Sequence, residues 1–101
     1  MVIDFPFKEE LIDGFHIRTF SSNLNEMELK WHFDEQDRIV VCEDVTDWMF
    51  QMDNELPIKI ERNTPIFIPE GCYHRIIKGT GDLTVKVKKL VKKDFDTTFI
   101  K

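Results

Sequence analysis

Short apolar runs separated by turn-forming residues dominate the pattern of this chain. Within most runs apolar and polar side chains alternate, which is typical of strands with one buried face. The pattern predicts eight short strands, at residues 15–20, 27–33, 38–43, 47–52, 57–61, 66–69, 72–78 and 82–91, and one helical turn over 8–13. Turn signals at 53–55, 62–64 and 79–82 separate several of them. We therefore expect an all-β protein with little helix, built as a sandwich or a barrel.

The run 27–34 alternates most strictly. One face of the predicted strand would carry the apolar residues Met27, Leu29, Trp31 and Phe33. The other would carry the polar residues Glu28, Lys30, His32 and Asp34. Either the apolar face is core and the polar face meets solvent, or the polar face looks into a cavity and the apolar face packs on a second sheet or a partner subunit. The alternation alone does not choose between them.

Composition and net charge argue against some classes of function. With 101 residues, 42% of them hydrophobic, the chain can form one modest core. A net charge of −5 argues against a nucleic-acid partner, and we interpret the lysine-rich run 86–93 as a solvated strand face. No apolar run approaches the roughly 20 residues of a membrane helix, and the N-terminus lacks the pattern of a secretion signal. We expect a cytoplasmic protein without a membrane partner, in which Cys42 and Cys72 stay reduced.

Residues 65–79, reading P-I-F-I-P-E-G-C-Y-H-R-I-I-K-G, are the most informative segment. Pro69 restricts φ and Gly71 tolerates a positive φ, so the chain reverses between two strands and the second carries His74. Earlier in the chain, His32 and Asp34 lie two residues apart on one predicted strand, so their side chains point the same way. An imidazole and a carboxylate at that spacing can converge on one ion.

The segment 69–74 resembles the second motif of the cupin superfamily, Pro-x-Gly-x-x-His. It is well kept, although Asn63 replaces the leading Gly of that motif and Lys78 its closing Asn. Asparagine is the next best residue for a positive φ, so the first change is mild. The resemblance covers about residues 27–89.

The first cupin motif, His-x-His followed after three or four residues by Glu, is degenerate in this chain. His32 matches its first histidine, and Asp34 stands where the second is usual. Arg38 stands at the glutamate position for the shorter spacing, and Ile39 for the longer.

The resemblance implies a small cupin-type jelly-roll barrel of about eight antiparallel strands. The single domain would span residues 1–101, with 1–26 as N-terminal extension and first strand, 27–91 as core and 92–101 as C-terminal tail. It also implies a metal site formed by His32, Asp34 and His74. Two histidines and one carboxylate suit Fe(II) and also accept Mn, Ni, Zn or Co.

Arg38 is the main argument against a metal, because a permanent cation repels a divalent ion nearby. It could pair with Asp34 and replace the ion by an internal salt bridge. It could also bind the carboxylate or phosphate of a small ligand. A surface arginine at the start of a strand is the simplest alternative.

Three further residues are candidates for the wall of a ligand pocket. Trp48 and Phe50 alternate with polar residues, which usually indicates core, although in a cupin they could line the cavity. Cys72 shares its parity with His74 and would be a soft ligand or a small buried thiol. With Arg38, they form the predicted substrate-binding set. His16 has no partner motif and is interpreted as an ordinary strand residue.

Two functions of different classes follow. The first is a cupin that binds a compact anionic ligand in its barrel, with a divalent metal and with oxygenation, isomerisation or lyase chemistry as the reaction classes that the family suggests. The second is a non-enzymatic, metal-free cupin that acts as a binding module or a homodimeric assembly module, with the apolar stripe of the run 27–34 as its interface. The catalytic residues and the ligand itself are not specified by the sequence.

Overall fold

The structure, a computed structural model, describes residues 7–24 and 29–90. These residues form eight strands and no helix: β1 (Lys8–Ile12), β2 (Phe15–Phe20), β3 (Asp37–Val41), β4 (Met49–Met52), β5 (Ile58–Lys59), β6 (Ile66–Ile68), β7 (His74–Ile77) and β8 (Leu83–Leu90). Accordingly, this part of the chain has no helix long and apolar enough to cross a bilayer.

The strands build two antiparallel sheets. The larger has the order β1-β2-β8-β3-β6 and the smaller the order β5-β4-β7. From β3 onward the chain passes repeatedly from one sheet to the other, so strands that are neighbours in sequence often lie on opposite walls. This arrangement confirms the predicted all-β, antiparallel fold with little helix.

The helical turn predicted over residues 8–13 is wrong, because this segment is strand β1. Asp13 and Gly14 have φ angles of 53° and 83°, the left-handed conformation that a two-residue hairpin turn requires. The turn pairs β1 with β2 in register from Lys8↔Thr19 to Ile12↔Phe15. The Asp-Gly pair was the signal, and it outweighs the weak helical pattern of the residues before it.

The continuous strand predicted over 27–33 is also wrong for the part that the structure describes. Residues 29–33 form only an isolated bridge, between His32 and His74, while 27 and 28 lie outside the described residues. The other predicted strands are confirmed with mostly shorter bounds; residue 91 also lies outside the described part.

The core lies between the two sheets and follows the alternation of the strands. On β8, Leu83, Val85 and Val87 are buried, whereas Lys86 and Lys88 point away from them. Trp48 is fully buried, and its ring centroid lies 6.0 Å from that of Phe20. Each such apolar side chain contributes about 1.5–3 kcal/mol when it leaves water, so this layer holds the two sheets together.

One end of the core is sealed by the loops that precede β4 and β8. The Trp48 indole N–H donates to the carbonyl of Gly81 at 2.6 Å. The Asp47 carboxylate accepts from the Thr80 backbone N–H at 2.9 Å and from the Thr80 hydroxyl at 2.8 Å. We call Asp47, Trp48, Gly79, Thr80 and Gly81 the sealed end.

Candidate metal and ligand site

A cavity of about 110 Å³ lies between the sheets. Most of its wall is apolar, with Phe50, Ile68 and Val85 among the lining residues. Polar side chains also line it, and five of them are grouped by ion pairs, ring contacts or charge coupling: Arg18, His32, Asp34, Arg38 and His74. We call these five residues the polar mouth.

His32 and His74 meet because their backbones pair directly. The N–H of His32 donates to the carbonyl of His74 at 3.0 Å, and the N–H of His74 donates to that of His32 at 2.9 Å. Residues that exchange both hydrogen bonds in an antiparallel pair stand opposite each other, with their side chains on one face. The two imidazole centroids are consequently 4.3 Å apart.

The turn before His74 fixes this pairing. The N–H of Cys72 donates to the carbonyl of Pro69 at 3.2 Å, and Gly71 has a φ of 75°, as the third residue of a type II turn requires. The N–H of Gly71 then donates to the carbonyl of Asp34 at 2.8 Å. The turn therefore ties the segment carrying His32 and Asp34 to the start of β7.

Backbone carbonyls orient both histidines. The Nδ1 of His74 lies 2.9 Å from the carbonyl oxygen of Cys72, and that of His32 lies 3.1 Å from the carbonyl oxygen of Lys30. Because a carbonyl only accepts, each Nδ1 must carry the proton. Each Nε2 is thereby left to act as a ligand, an arrangement that metal-binding histidines commonly use.

The central feature of the site is a pair of acceptors that face each other. The Nε2 of His74 lies 3.5 Å from the Oδ2 of Asp34, and this buried Oδ2 has no hydrogen-bond partner among the described residues. Burial lowers the pKa of His74, and this effect outweighs the hydrogen bond to Cys72, so the ring is neutral at neutral pH. Two lone pairs then point at one gap.

The gap has the dimensions of a metal site. Two donor atoms bound to one ion at about 2.1 Å and a tetrahedral angle lie about 3.4 Å apart. His32, Asp34 and His74 can each offer a ligand atom, and these atoms all lie within 4.8 Å of one another. His74 is buried, Asp34 is half-buried and His32 is exposed, so one side of the group stays open to a ligand.

Arg38 pairs with Asp34 but occupies only one of its oxygens. Its Nη2 lies 3.2 Å from Oδ1, which leaves Oδ2 facing His74. Burial lowers the pKa of Arg38, as does the nearby Arg18, whereas Asp34 raises it. The internal salt bridge considered from the sequence therefore forms, and the donor group of the metal site persists beside it.

A second feature of Arg38 is the Nε donor of its guanidinium. Its Nε is buried and has no hydrogen-bond partner among the described residues. An unpaired buried donor of a charged group is costly, and its presence at a cavity points to an external acceptor.

The other predicted pocket residues divide into two groups. Phe50 lines the cavity, with its ring centroid 5.8 Å from that of His74. Trp48 and Cys72 are not among the lining residues. Trp48 belongs to the sealed end, and the Cys72 thiol lies 3.7 Å from the sulfur of Met52.

For the last four residues of the run 27–34, the structure shows which face each side chain takes. His32 and Asp34 face the cavity, whereas Trp31 and Phe33 are exposed on the other side. Leu29 breaks the pattern, because it is buried and lines the cavity; Met27 lies outside the described residues. The apolar stripe is therefore not continuous.

Sequence reasoning missed two cations near the site, Arg18 and Lys89. Arg18 lines the cavity from β2, and Lys89 stands opposite Arg38 on β8. The spacing along the strands was a signal for both residues. Arg18 precedes the buried Phe20 by two residues and Lys89 follows the buried Val87 by two, so each lies on the same face as its buried neighbour.

Comparison with solved structures identifies the fold. A cupin domain from Bordetella pertussis aligns with a TM-score of 0.58 at 14% identity, over 89% of this chain and 100% of that one. Fe(II) HppE in complex with its substrate gives 0.61 at 10% identity, over 89% of this chain and 56% of that one. A protein from Neisseria meningitidis gives 0.57 at 13% identity, over 90% and 89%.

No family model and no curated relative matches the sequence. The structural likeness nevertheless shows that the chain has the cupin fold, as its two motifs indicate. At these identities the likeness concerns the fold, so the chemistry has to be argued from the residues of this chain.

Proposed function

We propose that this protein binds one divalent metal ion at His32, Asp34 and His74, and a compact anionic ligand in the cavity beside it. The observation that carries the proposal is the 3.5 Å gap between His74 Nε2 and Asp34 Oδ2, which has no hydrogen-bond partner in the described part of the chain. A cation between these atoms satisfies both of them. The structural neighbour HppE, which was crystallised with Fe(II) and substrate, supports this choice.

Each residue of the polar mouth has a distinct role in this proposal. His32 and His74 supply Nε2 while the carbonyls of Lys30 and Cys72 hold their rings, and Asp34 supplies Oδ2 while Arg38 holds Oδ1. A bound Fe, Mn, Ni, Zn or Co ion would supply Lewis acidity for isomerisation or lyase chemistry, and oxygenation would require a redox-active ion such as Fe. Phe50 and the apolar wall keep water away from the ligand.

The cavity and Arg38 define the ligand class. An engineered protein cavity of about 150 Å³ holds one benzene molecule, and the present cavity measures about 110 Å³. Only a compact molecule fits. The buried Nε of Arg38 needs an acceptor, and a negatively charged group is the strongest partner for a guanidinium.

Metal analysis of the purified protein tests the proposal. We expect one divalent ion per chain after growth in rich medium, and its loss in His74→Ala. His16→Ala is the matched control, because His16 binds Glu9 rather than this cluster and its loss should leave the metal in place. Stoichiometric metal in His74→Ala would contradict the assignment.

An exposed aromatic patch supports homodimerisation as a second candidate. Phe33 and Tyr73 lie edge to face with centroids 5.0 Å apart, and the Arg75 guanidinium lies 4.8 Å from the Trp31 ring centroid. Trp31, Phe33 and Tyr73 are 41%, 48% and 46% exposed, which is unusual for neighbouring large rings. In this alternative the protein is a metal-free assembly module.

Sedimentation at low micromolar concentration distinguishes the alternatives. If the patch is a dimer interface, Trp31→Glu should give a soluble monomer. A wild-type monomer would contradict the dimer.

The proposal also includes a single domain over residues 1–101 and a cytoplasmic location, with which the free thiols of Cys42 and Cys72 are compatible.

A further inference from the structure

Three cationic side chains lie on adjacent strands of the larger sheet: Arg18 and Arg38 line the cavity, and Lys89 stands opposite Arg38. Arg18 is on β2, Lys89 on β8 and Arg38 on β3. Arg38 and Lys89 are direct cross-strand partners, so their side chains leave the sheet on the same face. Burial lowers the pKa of Lys89, and the positive charges of Arg38 and Arg18 lower it further.

The carboxylates at hand do not balance these cations. Asp34 pairs with Arg38, and Glu9 accepts from Arg18 Nε at 2.6 Å while its other oxygen lies 2.9 Å from His16. Lys89 makes no ion pair with the residues that the structure describes. Like charges directly opposite each other destabilise a sheet, so the arrangement costs stability unless an anion joins it.

Two details indicate that the anion comes from outside. The buried Arg38 Nε has no acceptor among the described residues. The Arg18 guanidinium is held in place, because it lies 4.4 Å from the Phe7 ring centroid and is bound by Glu9. A fixed guanidinium loses less side-chain entropy when it binds a ligand.

We propose that Arg18, Arg38 and Lys89 form one binding subsite for a tetrahedral dianion, so that the cavity ligand carries a phosphate or phosphonate group. This inference rests on the proposed function, because it takes the cavity as the ligand site. A single carboxylate is satisfied by one guanidinium binding through two nitrogens. Three cations from three strands instead match a group with three oxygens and two charges.

The chain offers a matched control on the same strand. Lys88 precedes Lys89 but points to the opposite face, where it is exposed and lies 5.4 Å from the Phe15 ring centroid. Replacing either lysine by glutamine removes one charge from β8. Only Lys89→Gln removes it from the subsite.

Calorimetric titration tests the inference at fixed ionic strength. The metal-stripped protein is titrated with inorganic phosphate, methylphosphonate and acetate. We expect phosphate and methylphosphonate to bind and acetate to bind at least about tenfold more weakly. Lys89→Gln and Arg18→Gln should each weaken phosphate binding by about tenfold or more. Lys88→Gln should leave it unchanged, and Lys89→Arg should retain most of it.

Phosphate binding that is absent, or that neither Lys89→Gln nor Arg18→Gln weakens, would overturn the inference. Acetate binding as tightly as phosphate would overturn its dianion class. The metal is tested separately with His74→Ala, which should still bind phosphate. A wild-type protein that binds phosphate but no metal would support this subsite and contradict the metal half of the proposed function.

Discussion

The sealed end and the polar mouth differ in how completely their polar groups are hydrogen-bonded. At the sealed end, the Trp48 indole and the Asp47 carboxylate each have short hydrogen bonds to the facing loop. At the polar mouth, Asp34 Oδ2 and Arg38 Nε are buried without hydrogen-bond partners among the described residues. Both regions are built on the same two sheets, so the difference does not arise from the fold as a whole.

This difference indicates which region stabilises the fold and which region binds ligands. Folded proteins satisfy nearly all buried polar groups, and the exceptions need an explanation such as a ligand or an ion. At the sealed end, no buried side-chain atom that the structure describes lacks a hydrogen-bond partner, so this region serves the fold. At the polar mouth, one acceptor and one donor lack partners within residues 7–24 and 29–90, which is the arrangement expected when a cation and an anion complete the site.

The largest effect on stability should come from the sealed end. Trp48→Ala removes a fully buried ring and leaves the Gly81 carbonyl without its indole donor, so we expect a loss of about 3–5 kcal/mol in the free energy of unfolding. Urea unfolding measures it. Trp31→Ala is the matched control: Trp31 is 41% exposed, and its loss should cost far less.

If Trp48→Ala does not fold, Trp48→Phe tests the same end more gently. It keeps most of the ring and removes the hydrogen bond, with an expected cost of about 1 kcal/mol or more. Equal stability losses in the variants of Trp48 and Trp31 would mean that the sealed end is not the firmer region.

Metal binding should stabilise the protein through the polar mouth. An ion present at 100 times its dissociation constant adds about 2.7 kcal/mol if it binds only the folded state. Thermal unfolding with and without Zn²⁺ should therefore show a rise in Tm in the wild type and none in Asp34→Ala. A similar rise in both proteins would place the metal elsewhere.

A side chain at Gly79 should destabilise the protein. A Cβ at this position would lie 2.6 Å from Trp48 Cδ1 and 2.7 Å from the Trp48 backbone nitrogen. Because backbone has to move, Gly79→Ala should cost about 1–3 kcal/mol by urea unfolding. At Gly81 a Cβ meets nothing within 4 Å, so Gly81→Ala should be nearly neutral, and a loss as large as that of Gly79→Ala would refute the steric account.

The smallest effect concerns Asp47 and depends on pH. The hydrogen bonds from the Thr80 N–H and hydroxyl lower the pKa of Asp47 below its ordinary value of 3.8. A carboxylate with a lowered pKa stabilises the folded state above its unfolded pKa, and this contribution disappears as the pH falls through the folded pKa. Asp47→Asn should therefore be less stable than the wild type at neutral pH.

The stability difference between wild type and Asp47→Asn should shrink as the pH falls below about 4. Denaturant unfolding across this range measures it. Asp53→Asn, at an exposed carboxylate in the turn after β4, is the control for the loss of a surface charge. A gap for Asp47→Asn that is constant with pH would contradict the charged hydrogen bond.

The sequence predicted those parts of the site that depend on local rules. The turn at Pro69 and Gly71 and the parity of His32 and Asp34 are short-range features. The resemblance to the two cupin motifs implied that these residues meet His74. Arg18 and Lys89 reach the site through the register of β2, β8 and β3, which pairs residues far apart in sequence. Such register is set by packing across the sheet rather than by local pattern.

Two wrong predictions have the same physical origin. The residues of β1 are all exposed, so no burial pattern marked the strand, and only the Asp-Gly turn predicts it. The run 29–33 alternates like a strand but pairs with β7 only at His32, because the turn at 69–72 binds Asp34 instead. Alternation shows which side chains share a face, whereas the backbone partners decide whether a strand forms.

Histidine nitrogen chemical shifts test the central claim most directly, because they report which ring nitrogen carries the proton. In the metal-free protein near neutral pH, we expect His74 to be neutral with the proton on Nδ1. Addition of Zn²⁺ should shift the Nε2 resonances of His32 and His74 and leave His16 unchanged. A His74 ring protonated on Nε2, or Nε2 resonances of His32 and His74 that do not respond to Zn²⁺, would contradict the account.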